Sequence, residues 1–389
     1  MKKLLRSFLI ISVALLPLVS SAQEVYYPPP GQWQRVKPET AGMDTGRLAE
    51  AVALAQDKAV LEPSDLATAI TNSFAPREPD FRILGPTKPR AGSAGLVIRK
   101  GYIVAEWGDL ERVDMTFSVV KSYLSTIMAL ALRDDLIDDI HAPVTRWVRD
   151  GKFASEHNRG ITWHHLMNQT SDWQGTLWGV PDWADRPEGD DRSQWPNREL
   201  HAPGSYFKYN DVRINLAAYS LLQVWRQPLP VVLKREVMDP VGASTTWRWH
   251  GYENSWVTLD GQKMQSVSGG GHFGGGLFIN TLDHARMGLL FLRDGDWQGR
   301  QIIPKDWIAA MRTPTPARPD YGYMWWLNTG QERIPQAPES AFWAAGFGGN
   351  FIYVDQQNDL LIVLRWIPAL DEIVPAVMAA MVPVDGKTP

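Results

Sequence analysis

Phe117-Ser118-Val119-Val120-Lys121 is the stretch on which the reading of this chain turns. It opens a run, 117–133, dense in Ala, Leu and Met, which predicts a buried helix. Ser118 and Lys121 stand three apart and so share one helix face. A serine at a helix N-terminus meets unpaired backbone N–H groups and the positive end of the helix dipole. Both favour the negative charge that develops during acyl transfer. A lysine one turn inside, if desolvated, gives up its proton more easily and can act as general base. The same residues also suit a capping serine and a lysine that snorkels to solvent. A second Ser-x-x-Lys, Ser205-Tyr206-Phe207-Lys208, follows Pro203-Gly204 and holds two aromatics, which suits a loop or short extended piece.

Upstream, Gly95-Leu96-Val97-Ile98 and Tyr102-Ile103-Val104-Ala105 read as two strands joined by a tight turn at Arg99-Lys100-Gly101. Residues 74–92 are rich in Pro, Arg and Gly and predict a surface loop, and 48–55 a helix. Downstream, 135–260 reads as short helices and loops with many tryptophans. Ser268–Gly276 is glycine-rich, and 283–292 has helical spacing. The segment 321–327 suits one buried strand. Residues 351–354 and 360–364 flank Asn358-Asp359 as an antiparallel hairpin, and 371–381 suits a closing helix. Strands near both ends with helices between predict an α/β (α+β) fold: a mixed, mainly antiparallel sheet with flanking helices and a helical lobe.

The chain has 389 residues and no cysteine. Disulfides, a thiolate nucleophile and thiolate metal sites are therefore excluded. Lys plus Arg number 39 and Asp plus Glu 43, a balance that points to no nucleic-acid partner. Lys2, Lys3 and Arg6, an apolar run from Phe8 to Val19, and Ser20-Ser21-Ala22 have the order of a cleaved secretory signal, 1–22. Its apolar run is too short to span a bilayer comfortably, and no later one reaches membrane length. The expected product is a periplasmic or secreted domain, 23–389. Its sheet lobe would come from about 31–125 and 265–385, and its mostly helical lobe from about 126–264. Trp is unusually frequent at 18, against 11 Tyr and 12 Phe, and suits either packing or an apolar binding wall.

Several segments, in order, resemble the serine β-lactamase-related hydrolases. Gly160-Ile161-Thr162-Trp163-His164-His165-Leu166-Met167-Asn168-Gln169-Thr170-Ser171 is similar to that family's ITIRHLLTHTSG segment. Pro203-Gly204-Ser205-Tyr206-Phe207-Lys208-Tyr209-Asn210-Asp211 resembles PGTxFxYSN, Gly275–Arg286 resembles GGLxSTARDLAR, and Tyr321–Trp326 resembles YGYGWW. Pro38–Asp44 fits the family's opening. The family includes class C β-lactamases, D,D-peptidases, carboxylesterases and 6-aminohexanoate-dimer hydrolases.

The resemblance implies the serine β-lactamase fold, with Ser118 as nucleophile and Lys121 and Tyr209 moving protons. It implies an oxyanion hole of the Ser118 and Phe347 backbone N–H groups, beside Gly346. It implies no cofactor and no metal. Two departures stand out. The family asparagine falls at Asp211, with Asn210 one place early; Asp211 would favour a charged Lys121 and move proton work to Tyr209. The third motif, Lys-Thr-Gly in β-lactamases, is matched by Ala344-Ala345-Gly346, which lacks the cation that holds a β-lactam carboxylate. The expected substrate is therefore a small-molecule ester or amide. A β-lactamase or D,D-peptidase activity is the alternative, and a non-enzymatic binder of peptidoglycan fragments a third.

His164-His165 reads as a structural pair, and the run around His272 as close backbone packing near the site, since it lacks Gly-Lys-Ser/Thr. His-Glu-x-x-His and Gly-x-Ser-x-Gly do not occur. Trp173, Trp178 and Trp183, with His272, are expected to line the substrate pocket.

Overall fold

The computed structural model describes residues 25–60 and 63–382. The segment read as a signal, 1–22, lies outside them. The first helices are α1 (Thr45–Asp57) and α2 (Leu66–Phe74), each capped by an aspartate, Asp44 and Asp65, that accepts a first-turn N–H. The expected strand pair follows as β1 (Ala94–Arg99) and β2 (Tyr102–Trp107), turning through Lys100 and Gly101, both at positive φ. Then come β3 (Asp114–Met115) and α3 (Val120–Arg133), the latter entered by a 3-10 turn over Phe117–Val119. The helical region holds α4 (Trp163–Met167), the short pair β4 (Thr176–Leu177) and β5 (Val180–Pro181), α5 (Asp211–Trp225) and α6 (Leu229–Leu233).

The chain returns through a hairpin of β6 (Arg248–Leu259) and β7 (Gln262–Val267), then β8 (Gly276–Ile279) and α7 (Thr281–Leu292). A small ribbon, β9 (Asp296–Trp297) and β10 (Arg300–Gln301), precedes α8 (Lys305–Met311). The last elements are β11 (Tyr321–Gly322), β12 (Trp325–Leu327), β13 (Phe342–Gly346), β14 (Asn350–Asp355), β15 (Leu360–Arg365) and α9 (Leu370–Ala379). No helix among the described residues is long and apolar enough to cross a membrane.

Seven strands form one antiparallel sheet in the order β11-β12-β13-β14-β15-β1-β2, so both ends of the chain build it. Side chains alternate between its faces with period two. Leu96, Ile98, Ile352, Val354, Leu361 and Val363 join α3 and α7 in the main core. Val97, Tyr353, Leu360, Ile362 and Leu364 join Leu48 and Ala55 of α1 and Ile373 and Val377 of α9 on the other side. Burying each such aliphatic side chain contributes roughly 1.5–3 kcal/mol before entropy is counted. A second sheet, β3-β8-β6-β7, is tied to the first by Arg365. Its guanidinium donates to Asn350 Oδ1 at 2.7 Å and to the carbonyls of Ile279 and Met115 at 3.0 Å each. This buried bridge fixes the approach of the chain to the Ser118 turn.

Three expectations need correction. The middle region is not all short pieces: α5 runs 15 residues, nearly all buried, so it lacks an amphipathic period to read. The span 126–264 also contains β6 and the first half of β7, a long hairpin hidden among polar residues. The segment 321–327 is a hairpin rather than one strand, with Tyr321 opposite Trp326 and Gly322 opposite Trp325. Its turn puts Tyr323 and Met324 at φ 41° and 68°, unusual for residues with side chains. Other elements hold it there. The Tyr323 N–H donates to Asn168 Oδ1, its hydroxyl meets His164 Nδ1 at 2.9 Å, and the Met324 carbonyl accepts from Ser122 Oγ.

Candidate active site

Ser118 stands on the 3-10 turn that feeds α3, partly exposed while its neighbours are buried. Phe117 before it has φ 48°, a left-handed conformation that costs a non-glycine residue about 1 kcal/mol or more. Packing pays for that strain: the Phe117 ring lies 5.1 Å from Phe347 and 6.2 Å from Trp366. Lys121, one turn on, donates to Ser118 Oγ at 3.0 Å. Its ammonium also lies 2.6 Å from Asp211 Oδ1, with both side chains closed to solvent.

Asp211 opens α5, and Asn210 caps that helix by accepting the Arg213 N–H. Asn210 is fully buried and donates to the carbonyls of Asp182 and Asp185. It is a brace, and Asp211 is the residue that faces Lys121. The other Asp211 oxygen accepts the His272 backbone N–H at 3.1 Å. Burial opposes ionisation of this carboxyl, but Lys121, then Arg186, overcome it and hold it well below the usual carboxylate range. The glycine-rich run closes over the pair: a β carbon on Gly270 would lie 1.9 Å from Asp211 Oδ2 and 2.5 Å from Lys121 Nζ.

Tyr209 joins the group through its ring. Lys121 Nζ sits 4.7 Å from the ring centroid, on its face. The ring stacks on Trp326 and meets Tyr321 edge-on. Its hydroxyl makes no hydrogen bond to Ser118 in this arrangement. Across the turn, β13 ends against the serine. A β carbon on Gly346 would lie 2.2 Å from the Thr116 carbonyl oxygen and 3.2 Å from Ser118 N, so glycine is required at this approach. The next residue, Phe347, is thereby carried to the edge of the Ser118 turn. A first-turn N–H at Ser118 and an N–H just past a strand end are the kind of donors an oxyanion hole uses.

Other expected pocket residues lie elsewhere. Trp173 is 2% exposed, packs in the main core and donates to the Lys152 carbonyl, so it walls no cleft. Trp178 packs edge-on against Tyr219, 5.7 Å away, at the β4–β5 turn. Trp183 borders a groove of about 520 Å³ shared with Phe81, Arg82 and Phe273. His272 is buried among Phe74, Phe81 and Phe273 and reaches the site through its backbone. Arg186 donates to its Nδ1, which assigns the ring proton to Nε2, where it goes to Glu78 Oε2 at 2.6 Å.

Glu78, Asp185 and Arg186 escaped the sequence reading. Glu78 falls in a stretch read as surface loop, and Asp185-Arg186 in the helical lobe; only the fold brings them together. Glu78, Asp185 and His272 offer ligand atoms within 4.8 Å of one another, but the Arg186 guanidinium, 2.5 Å from Asp185, supplies positive charge there. Beneath this loop, Arg213 pairs with Asp172 at 2.7 Å and Asp182 at 3.1 Å, and Arg198 joins both.

The family model described as Beta-lactamase matches residues 90–366, most of the chain. The chain belongs to the Beta-lactamase family. No curated protein matches it. Solved structures share its fold at low identity. A β-lactamase from Mycobacterium bovis is 19% identical, covers 75% of this chain and 95% of its own, and has a TM-score of 0.54. EstCE1, a hydrolase with promiscuous acyltransferase activity, is 16% identical over 87% of this chain and 99% of its own, TM-score 0.56. A penicillin-binding protein homologue from Caulobacter crescentus is 14% identical over 81% and 97%, TM-score 0.53. The expected β-lactamase fold is thus the observed one for this Beta-lactamase family member.

Proposed function

We propose that this protein is an exported serine hydrolase that acts through an acyl-enzyme on an ester or small amide. One observation carries the reading: within the family fold, Lys121 Nζ donates to Ser118 Oγ at 3.0 Å from a helix start that favours negative charge. Ser118 Oγ attacks the substrate carbonyl carbon, and the carbonyl electrons move to oxygen. The N–H groups of Ser118 and Phe347 hold that oxyanion. Asp211 holds the Lys121 Nζ at 2.6 Å, and Tyr209, whose ring carries that Nζ on its face, takes the Ser118 proton and returns it to the leaving alcohol or amine. Water then attacks the acyl carbon by the reverse proton path.

The substrate preference rests on the third motif. Ala344-Ala345-Gly346 places backbone beside Ser118 and no cation, which favours neutral esters and amides over β-lactams. Turnover of p-nitrophenyl esters set against a chromogenic cephalosporin tests this. Faster hydrolysis of the cephalosporin would contradict it. Export rests on the order of charged, apolar and small residues over 1–22.

A further inference from the structure

Although β13 brings no cation to the site, Arg186 does, from the loop after β5. Its backbone is pinned in a left-handed conformation, φ 52°. The Arg186 N–H donates to Glu78 Oε1 at 3.2 Å, and its carbonyl accepts from Lys208 Nζ at 2.6 Å. Its Nη1 lies 2.5 Å from Asp185 Oδ1 and 3.8 Å from Asp211 Oδ1, the same oxygen that holds Lys121. Its Nη2 donates to His272 Nδ1 at 3.1 Å. The guanidinium carbon sits 5.3 Å from the Tyr209 ring centroid and 5.5 Å from that of Phe74. The side chain stays 32% exposed, but its guanidinium nitrogens are engaged by Asp185, Asp211 and His272.

We infer that Arg186 is a positioning residue of the reaction, which clamps Asp211 and Tyr209 and places a second cation beside the side chains that handle the Ser118 proton. This rests on Ser118 being the nucleophile. Asp211 alone would tie the Lys121 ammonium firmly. Arg186 shares the same carboxylate oxygen and places a second cation nearby, which weakens that hold. The same guanidinium lies 5.3 Å from the Tyr209 ring centroid. A second cation so placed disfavours further positive charge in this cluster during the proton transfer. The other groups facing the pair are Asp185, Glu78 and His272, with Tyr252 and Tyr321. Burial first, and then nearby negative charge, keeps both of these phenols protonated.

The test uses the full chain and follows, against pH, the rate at which a fluorophosphonate labels Ser118. In Arg186→Gln the rising limb of that rate should move to higher pH by about one unit. Arg186→Lys, which restores the charge without the guanidinium fork, should recover most of the shift. Asp185→Asn removes the anion beside Arg186 and should move the limb the opposite way. A labelled wild type whose limb stays put in Arg186→Gln overturns the role of Arg186 alone. If Arg186→Gln does not fold, by circular dichroism, Arg186→Met is read in the same way: a shift to higher pH supports the role and no shift overturns it. A wild type that takes no label overturns the hydrolase reading and this inference together.

Discussion

Lys121 Nζ lies 2.6 Å from Asp211 Oδ1, and neither side chain reaches solvent. Removing one partner of such a pair leaves a buried charge alone, at a cost of roughly 3–5 kcal/mol. Asp211→Ala should therefore lose about that much stability in denaturant unfolding. Asp211→Asn keeps an acceptor but removes the negative charge 2.6 Å from Lys121 Nζ. The rising limb of its pH–rate profile on a p-nitrophenyl ester should move to lower pH by about one unit or more. An unchanged profile would show that the Asp211 charge plays no part in the proton transfer.

Gly270 covers that same pair. An alanine there would put its β carbon 1.9 Å from Asp211 Oδ2, against the fixed end of a buried carboxylate. Gly270→Ala should lower stability by about 1–3 kcal/mol. It should also cut kcat far more than KM, because it displaces Lys121 and Asp211 rather than the substrate. Thermal melting beside steady-state kinetics checks this; wild-type kcat in the variant would show that the run merely passes nearby.

The tryptophans separate into two kinds. Trp173 is buried in the core with its indole N–H satisfied, so Trp173→Ala should cost about 3–5 kcal/mol by cavity formation. Trp183 borders open space, so Trp183→Ala should change stability by less than about 1 kcal/mol. Unfolding curves distinguish the two, and the reverse pattern would contradict the assignment.

His165 closes the first turn of α4 by accepting the Thr162 N–H on Nδ1 at 3.2 Å. Burial, then His164 and His141, pull its pKa from 6.5 down to about 4. A folded pKa below the unfolded one contributes stability that is complete above about pH 6.5 and is lost as pH falls towards about 4. The melting temperature should therefore drop on going from about pH 7 to about pH 5. His165→Asn should flatten part of that slope, whereas an equal slope in the variant would exclude His165 as the cause.

Much of this molecule was legible in sequence because local pattern and tertiary outcome agree. Strands β1, β2, β14 and β15 have continuous apolar runs between turn residues, and the Ser118–Lys121 spacing survives directly as a 3.0 Å contact on α3. The hairpin at Tyr323-Met324 was not legible: neither residue in the turn's positive-φ positions is a glycine, and His164, Asn168 and Ser122, from distant elements, hold it. Trp173 misled because spacing along the chain cannot tell a core indole from a cleft indole. Glu78, Asp185 and Arg186 carry no local signature, and their meeting depends on two loops folding over His272.

The central claim is that Ser118 is the nucleophile, and covalent labelling tests it most directly. The full chain is treated with a fluorophosphonate, digested and mapped by mass spectrometry. One adduct is predicted, on the peptide carrying Ser118, and none in Ser118→Ala. Equal labelling of both proteins, or an adduct on Ser205 instead, would contradict the account.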